Sequence, residues 1–521
     1  MYYVQILFLA LSLILTFMFF IYGFNHYFLL SIMHRYHVPR ISGDFSQERP
    51  FVSIQLPIYN ERYVVRRLVD SCTRMVQQYG IEFAEICILD DSTDDTVKMV
   101  DEITQEYAQK HFKIHVQRRV NRAGYKAGAL QVALENTQAE FIAIFDADYT
   151  PTRNFLLRTI PYFLQHEDLA IVQSRWSHLN RYYNLVTRAI AIGIDVHFLI
   201  EQTARYATNC FQNFNGSGGV LRKSALMEAG GWQADTLAED LDASYRMQMK
   251  GYKVLFLRDL TSPGEIPPTV PGFKKQQARW ANGSLRTARK LLPSLLVNKQ
   301  IKPYQRLEAF IHLTGYILHP MMYTSFLLAN FGTIFGIDTF LIHTHMLTPF
   351  GGSFSVLASP GAKQLHNLSW GALDTMIILS MFAAWVSPTI SLTLQKLSLR
   401  KNLSGLLALF LLGSGISISN SIEAIKALFT NRQWEFKRTP KYASVKGREG
   451  WRNNIYQVPL DPIFILEIAS VLLGLTAISM AFKQGQFLIF VILIPYTLAY
   501  AFVAYLTISQ SRPQAPASHA G

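Results

Sequence analysis

Residues 141–150 read FIAIFDADYT, an apolar run that ends in two aspartates one residue apart, Asp146 and Asp148. Five apolar residues are too few for a helix, and their make-up predicts a buried β-strand. The acids then mark the strand's carboxyl end. A second stretch repeats the pattern: EICILDDSTDDT, residues 85–96, predicts a strand that runs into Asp90 and Asp91. In an α/β sheet, ligands bind in the crevice outside the carboxyl ends of the strands. A D-x-D at such an end can hold a divalent cation through oxygen ligands, and the cation can bridge a diphosphate. A single D-x-D also suits a solvated turn; two acidic strand ends in one region weigh against that.

Working outward, further strands are expected at 51–58, 113–118, 170–175 and 253–258, with helices over 61–78 and 127–137. The alternation predicts a mostly parallel sheet covered by helices, within a domain spanning 48–295. Between the acidic strand ends lies RAGYKAGAL, residues 122–130. Its glycines allow close backbone approach, and Arg122 and Lys126 suit phosphate; an ordinary helix start is the plainer alternative. Residues 236–253, TLAEDLDASYRMQMKGYK, place Glu239 and Asp240 at a helix start. Acids there stabilise the helix's positive end. They also suit a general base that takes a proton from an attacking hydroxyl.

The rest of the chain has a different character. Residues 3–33 are apolar for longer than the roughly 20 residues a bilayer needs, with none of the marks of a cleaved signal. They predict a transmembrane helix within residues 1–33, and the basic HRYHVPR after it places the next segment on the cytoplasmic side. Apolar spans recur at 307–336, 371–394, 461–482 and 486–508 within a C-terminal region of 305–510. The segment 404–429 has basic flanks on both sides and is expected to be interfacial or re-entrant, giving five spans, or six if it crosses. The 521 residues carry a net charge of +13 and are half hydrophobic. Much of that charge lies beside apolar runs, which favours membrane lipids as partners over nucleic acid. The basic loop 432–452 is read as a cytoplasmic face on anionic lipid, with a role in closing the active site as an alternative the sequence does not support. Three cysteines without C-x-x-C spacing read as reduced, buried thiols.

One cluster sits where the two characters meet: PGFKKQQARWANGS, residues 271–284. Tryptophan and arginine are common bilayer anchors. The order of the other motifs gives this cluster a different meaning. DDS, DAD, AED and QQARW line up with the D, DxD, TED and QxxRW pattern of family 2 glycosyltransferases, which the whole chain resembles. GYKAGAL, VQSRW, FNGSGGV, QQARWANGS and FKRTPK bring the resemblance closer to the cellulose-synthase-like A and C branch, mannan and glucan synthases and their bacterial relatives. The one departure is Ala238 in place of the threonine of TED.

The resemblance implies an α/β GT-A, Rossmann-like cytoplasmic domain joined to an α-helical transmembrane bundle in the cell membrane. It implies that Asp90, Asp91, Lys126, Arg122, Asp146, Gln276 and Arg279 bind a nucleotide-sugar donor. It implies that Asp146 and Asp148 bind Mg²⁺ or Mn²⁺, and that Asp240, with Glu239 beside it, is the base. Arg279 offers fixed donors for a diphosphate, and Trp280 a flat face for an acceptor sugar beside Gln277. The implied reaction is an inverting transfer from GDP-mannose or UDP-glucose to a growing β-linked polysaccharide, with export. A lipid acceptor (ceramide, diacylglycerol or polyprenyl phosphate) shares the same motifs and stays open. A non-catalytic nucleotide-sugar-binding membrane module is the third reading. Protein partners are not specified by the sequence.

Overall fold

The computed structural model describes residues 2–41, 49–337, 370–430, 438–444 and 455–511. The chain forms two compact units. One runs Ile32–Thr314 and resumes at Lys426–Val458; the other comprises Met1–Ser31, Gly315–Ile425 and Pro459–Gly521.

The first unit is built on a seven-stranded sheet. Its strands are β1 (Val52–Ile58), β2 (Ala84–Asp90), β3 (Ile114–Gln117), β4 (Phe141–Ile144), β5 (Leu169–His178), β6 (Gly219–Arg222) and β7 (Lys253–Gly264), in the order β3-β2-β1-β4-β6-β5-β7. All six expected strands form. β6 was not expected, and it is the antiparallel one, paired with both β4 and β5. Its four residues, GVLR, are too short to show alternation.

Nearly every residue of β1 is buried, as a central parallel strand covered on both faces requires. On one face Ile54 and Leu56 meet helix Val65–Tyr79 through Leu68, Cys72 and Met75. On the other, Leu89 and Ile144 meet helix Tyr125–Asn136 through Ala129, Leu130 and Ala133. The chain winds from β1 through β2 to β3 on one side, then returns to place β4 on the other. That reversal opens a crevice at the carboxyl ends of β1 and β4. The cysteines Cys72, Cys87 and Cys210 are free and buried.

Helix Val270–Val297 carries the QQARW cluster. Thr269 caps it, accepting from the Gly272 N–H at 3.3 Å, and Pro271 occupies the first turn, where no N–H is needed. Its apolar face, Ala288, Leu291 and Leu295, packs on Ala309 and Leu313 of helix Pro303–Thr314. The expected continuous span 307–336 is therefore divided. Its start is core of the sheet-bearing unit, a 3₁₀ turn follows at Gly315–Ile317, and helix Leu318–Phe335 belongs to the second unit. The cause is local: Glu308 is buried against Arg205 at 2.9 Å, a partner a bilayer would not supply.

In the second unit, among the described residues, three helices are long and apolar enough to cross a membrane: Tyr3–Arg35, Phe464–Lys483 and Ile489–Gln510. Leu399–Gly415 and Ser417–Phe429 form a pair bent by 44°, which would make a fourth if it is one span. The expected span 371–394 lies in helix Trp370–Leu394.

Candidate active site

A cavity of about 750 Å³ lies at the carboxyl ends of β1, β2 and β4. Tyr59 and Glu61 enter it after β1, Asp91 after β2, and Asp146 and Asp148 after β4. Asp146 is the more open of the pair. Its Oδ1 accepts from Lys126 Nζ at 2.7 Å, and its backbone N–H donates to Ser217 Oγ. Asp148 is buried. Its Oδ2 accepts from the Glu265 N–H at 3.0 Å and from Lys441 Nζ at 2.9 Å, while its Oδ1 is buried with no hydrogen-bond partner.

Lys126 ties the elements together. Its ammonium also donates to the Gly216 carbonyl at 2.9 Å and lies 3.6 Å from Glu239. Burial works against its charge, yet Asp146, Glu239 and Asp240 together hold its pKa above the ordinary lysine value. Asp240 sits in the first turn of helix Glu239–Met249, whose cap, Ala238, makes no side-chain cap bond. Burial raises the Asp240 carboxyl above the usual carboxylate range, and the charge of Glu239 adds to this; Lys126 opposes it. Gly216 brings the two close. Its φ is +74°, and a Cβ there would meet Asp240 Oδ2 at 2.6 Å and Lys126 Nζ at 3.3 Å, so a side chain at this position would strain the backbone and displace the carboxylate.

The helix Val270–Val297 forms another wall. Gln276, Arg279, Trp280 and Gly283 recur at the i, i+3, i+4, i+7 spacing of one helical face, and the first three line the cavity. Gly283 lets that face come close: a Cβ there would meet Ala238 Cβ at 2.8 Å. Gln276 is buried with its Oε1 unpartnered. Arg122 lies 3.3 Å over the Tyr59 ring and lines the cavity as well.

Two expected residues are placed elsewhere. Asp90 does not line the cavity; it is buried against Arg118 at 2.9 Å and accepts from the Ser92 N–H. Arg119 binds Asp91, the neighbour that does reach the cavity. Gln277 is half-buried and does not line the cavity. The Pro- and Gly-rich stretch 262–273 is held at its middle. Asn180 brackets Ile266 with two hydrogen bonds, of 2.8 and 2.9 Å.

Other lining groups escaped the sequence reading. Arg438 and Lys441 belong to the loop read as lipid-facing; the rest of 432–452, apart from 438–444, lies outside the described residues. Arg438 donates to the carbonyls of Tyr59 and Asn60, stands 3.5 Å from Glu61, and covers the Tyr456 ring at 4.0 Å. These two cations line the cavity, so a purely lipid-facing role is corrected. Glu61 is the group they shield. Burial pushes its carboxyl up to about 8, against the pull of Arg438 and Lys441. A basic loop without periodicity carries no local sign of where it folds; the phrase FKRTPK, shared in the resemblance, was the available signal.

Among the described residues no group of three or more His, Cys, Asp or Glu side chains stands ready to hold a metal. The carboxylates that could hold one are Asp146 and Asp148, the latter with an unpartnered buried oxygen. An all-oxygen pair of this kind fits Mg²⁺ or Mn²⁺ when diphosphate and water complete the shell.

Comparison with known proteins gives the chain a family. The profile for glycosyl transferase family 2 matches residues 53–223, and that for glycosyl transferase family group 2 matches 141–398. A probable glucomannan 4-beta-mannosyltransferase 11 of Arabidopsis thaliana is 33% identical over 308 residues, 58% of this chain and 67% of the relative. The chain belongs to the family 2 glycosyltransferases. Within them it falls in the cellulose-synthase-like A branch. A probable glucomannan 4-beta-mannosyltransferase 2 of rice is 38% identical over half of this chain and 46% of its own length. The chain spans about half the length of most of the curated relatives it matches. A mannosyltransferase from Pyrobaculum calidifontis, solved with GDP-Man and Mn²⁺, covers 73% of this chain and 99% of its own, at 18% identity and a TM-score of 0.49. In this family 2 glycosyltransferase the sheet-bearing unit is the GT-A domain, and the cavity is at its strand ends.

Proposed function

We propose that this chain is an inverting hexosyltransferase that moves mannose, or glucose, from GDP-mannose or UDP-glucose to a growing β-linked glycan. The observation that carries the reading is the meeting of Asp146, Asp148, Asp240 and the face of Gln276, Arg279 and Trp280 in one cavity. The preference for mannose and a polymer is supported by the names of the relatives, glucomannan 4-beta-mannosyltransferases.

Asp240 takes the proton of an acceptor hydroxyl as its oxygen attacks the anomeric carbon; the bond to the diphosphate breaks on the opposite face. A carboxylate whose pKa burial has raised is the stronger base, and such a group contributes about 10²–10⁴ in rate. Lys126 keeps the carboxylates of Asp146 and Asp240 close without letting their charges repel. Arg279, Arg122 and Lys441 offer positive charge to the departing diphosphate. Trp280 presents a flat face to the acceptor ring. Asp146 and Asp148 would hold the divalent cation, which supplies charge neutralisation to the diphosphate when bound. The membrane-competent helices suit a multi-pass protein with this domain in the cytoplasm and a glycan leaving across the bilayer.

The test is nucleotide diphosphate release by the full chain in nanodiscs. GDP-mannose, UDP-glucose, UDP-galactose and UDP-N-acetylglucosamine are supplied separately with Mn²⁺ or Mg²⁺, and products are sized by mass spectrometry. A glycosidase-sensitive ladder with one donor is expected. A single glycosylated lipid would replace the polymer by a lipid acceptor. No turnover with any donor would sink the reaction.

A further inference from the structure

Past Trp176, at the end of β5, the cavity wall carries a pair of groups that the reaction above leaves unused. His178 lines the cavity, with its side chain only 3% exposed. Its Nε2 lies 3.1 Å from Oδ1 of Asp195, a residue of helix Leu185–Val196 that is itself buried. The other oxygen of Asp195 is paired with Arg181.

This arrangement decides which ring nitrogen carries the proton. A carboxylate only accepts, so the proton sits on Nε2, and Nδ1 is left with a lone pair. Arg181 neutralises Asp195, so the carboxylate orients the ring without drawing a second proton onto it. Burial, the largest influence, lowers the imidazole's pKa below the ordinary value, and Arg181 and Arg175 act the same way, against Asp195. The result is a neutral, fixed imidazole. Nδ1 has no hydrogen-bond partner among the described residues.

The surroundings are those of a sugar. Tyr149 and Trp176 also line the cavity, with ring centroids 5.4 Å apart at 61°. Aromatic faces suit the C–H faces of a pyranose. The position is fixed to the D-x-D segment: His178 pairs with Gly264 across β5 and β7, and the next residue, Glu265, donates its N–H to Asp148. If the ring only filled space, an apolar one would serve, and Asp195 would still have Arg181.

We propose that His178, oriented by Asp195, is a specificity residue whose Nδ1 accepts a hydrogen bond from a hydroxyl of the sugar held in the cavity. The hydroxyl belongs to the donor's hexose or to the acceptor's terminal residue, and the role rests on the reaction proposed above.

The test uses the full chain in nanodiscs with GDP-mannose, Mn²⁺ and a mannohexaose acceptor. His178→Gln keeps an amide N–H for Asp195 but removes the acceptor at Nδ1; His178→Asn returns a carbonyl near that place. His178→Gln should raise one KM about tenfold with kcat within about threefold, as expected for one lost hydrogen bond to substrate. Affinity for GDP alone should not change, and His178→Asn should recover part of the loss. A rise in the KM for GDP-mannose would place the hydroxyl on the donor, and a rise in that for mannohexaose on the acceptor. Unchanged KM values in an active enzyme would overturn the assignment, as would GDP affinity falling in step, which would mark a structural residue. A wild-type protein that turns over none of the donors would instead overturn the reaction itself.

Discussion

Among the described residues the two units handle polar groups with different emphasis. The GT-A unit sets charge against charge in and around its core: Lys126 with Asp146, Lys441 with Asp148, Arg205 with Glu308, Lys290 with Asp242. The membrane-competent unit pairs neutral groups: His319 with Asn420 at 3.0 Å, Ser417 with Tyr500 at 2.9 Å, Tyr323 with Ser470 at 3.2 Å. Among the described residues Glu467 and Glu423 are buried acids there, each with partners of its own. Taking a charge out of water costs several kcal/mol even when it is paired. A unit that handles charged substrate keeps such groups, whereas helices in lipid gain little by them. Removing one partner should therefore have unequal consequences in the two units.

The largest effect is expected where buried charge does chemistry. Asp240→Asn should lower kcat by about 10²–10⁴, with donor affinity retained in calorimetry. Because burial raises the pKa of Asp240, the proposed base is lost as pH falls through that raised value, so the acid limb of kcat/KM should lie above that of an ordinary carboxylate. For stability the sign is reversed. A raised carboxyl binds its proton more tightly when folded, so its charge costs stability at neutral pH, and Asp240→Asn should melt about 2–4 °C higher. Normal turnover by this variant would end the assignment.

Gly216→Ala comes next. The new Cβ meets Asp240 Oδ2 at 2.6 Å and the backbone is left-handed, so kcat should fall about 10–100-fold by displacement of the base. Lys441→Ala should lower the melting temperature of metal-free protein by several degrees, since it leaves the buried Asp148 without its ion-pair partner. Added Mn²⁺ should recover part of this; a melt insensitive to both changes would deny that Asp148 is a paired charge. The smallest effect is expected in the other unit. Asn420→Ala should cost about 0.6 kcal/mol, a shift near the limit of a melting curve, and leave GDP affinity unchanged. If it costs as much as Lys441→Ala, the contrast between the units fails.

The sequence made legible what is local. FIAIFDAD and EICILDD declared two strand ends and their acids, whereas the shared face of Gln276, Arg279 and Trp280 emerged with the helix that carries them. Adjacent acids could not be told apart: Asp91 reaches the cavity while Asp90, one step along the pleat, is taken by Arg118. Likewise Gln277 turns off the face that Gln276 shares. Nor was the far partner visible. Arg438 reaches the carbonyl of Asn60 across 378 residues, and no pattern near either position announces it. His178 lies beyond the strand expected at 170–175, and its setting comes from Asp195 on the following helix. The short β6 was hidden by its length.

The sheet-bearing unit is interrupted: it pauses at Thr314 and resumes at Lys426. A nascent chain therefore exposes the D-x-D long before Lys441 has been translated. More than a hundred apolar-rich residues must leave the ribosome first. Until then Asp148 lacks its buried cation, and the donor cavity lacks part of its wall. The order of synthesis thus delays completion of the site until the intervening helices exist, so a truncated product would carry the motifs without the finished cavity.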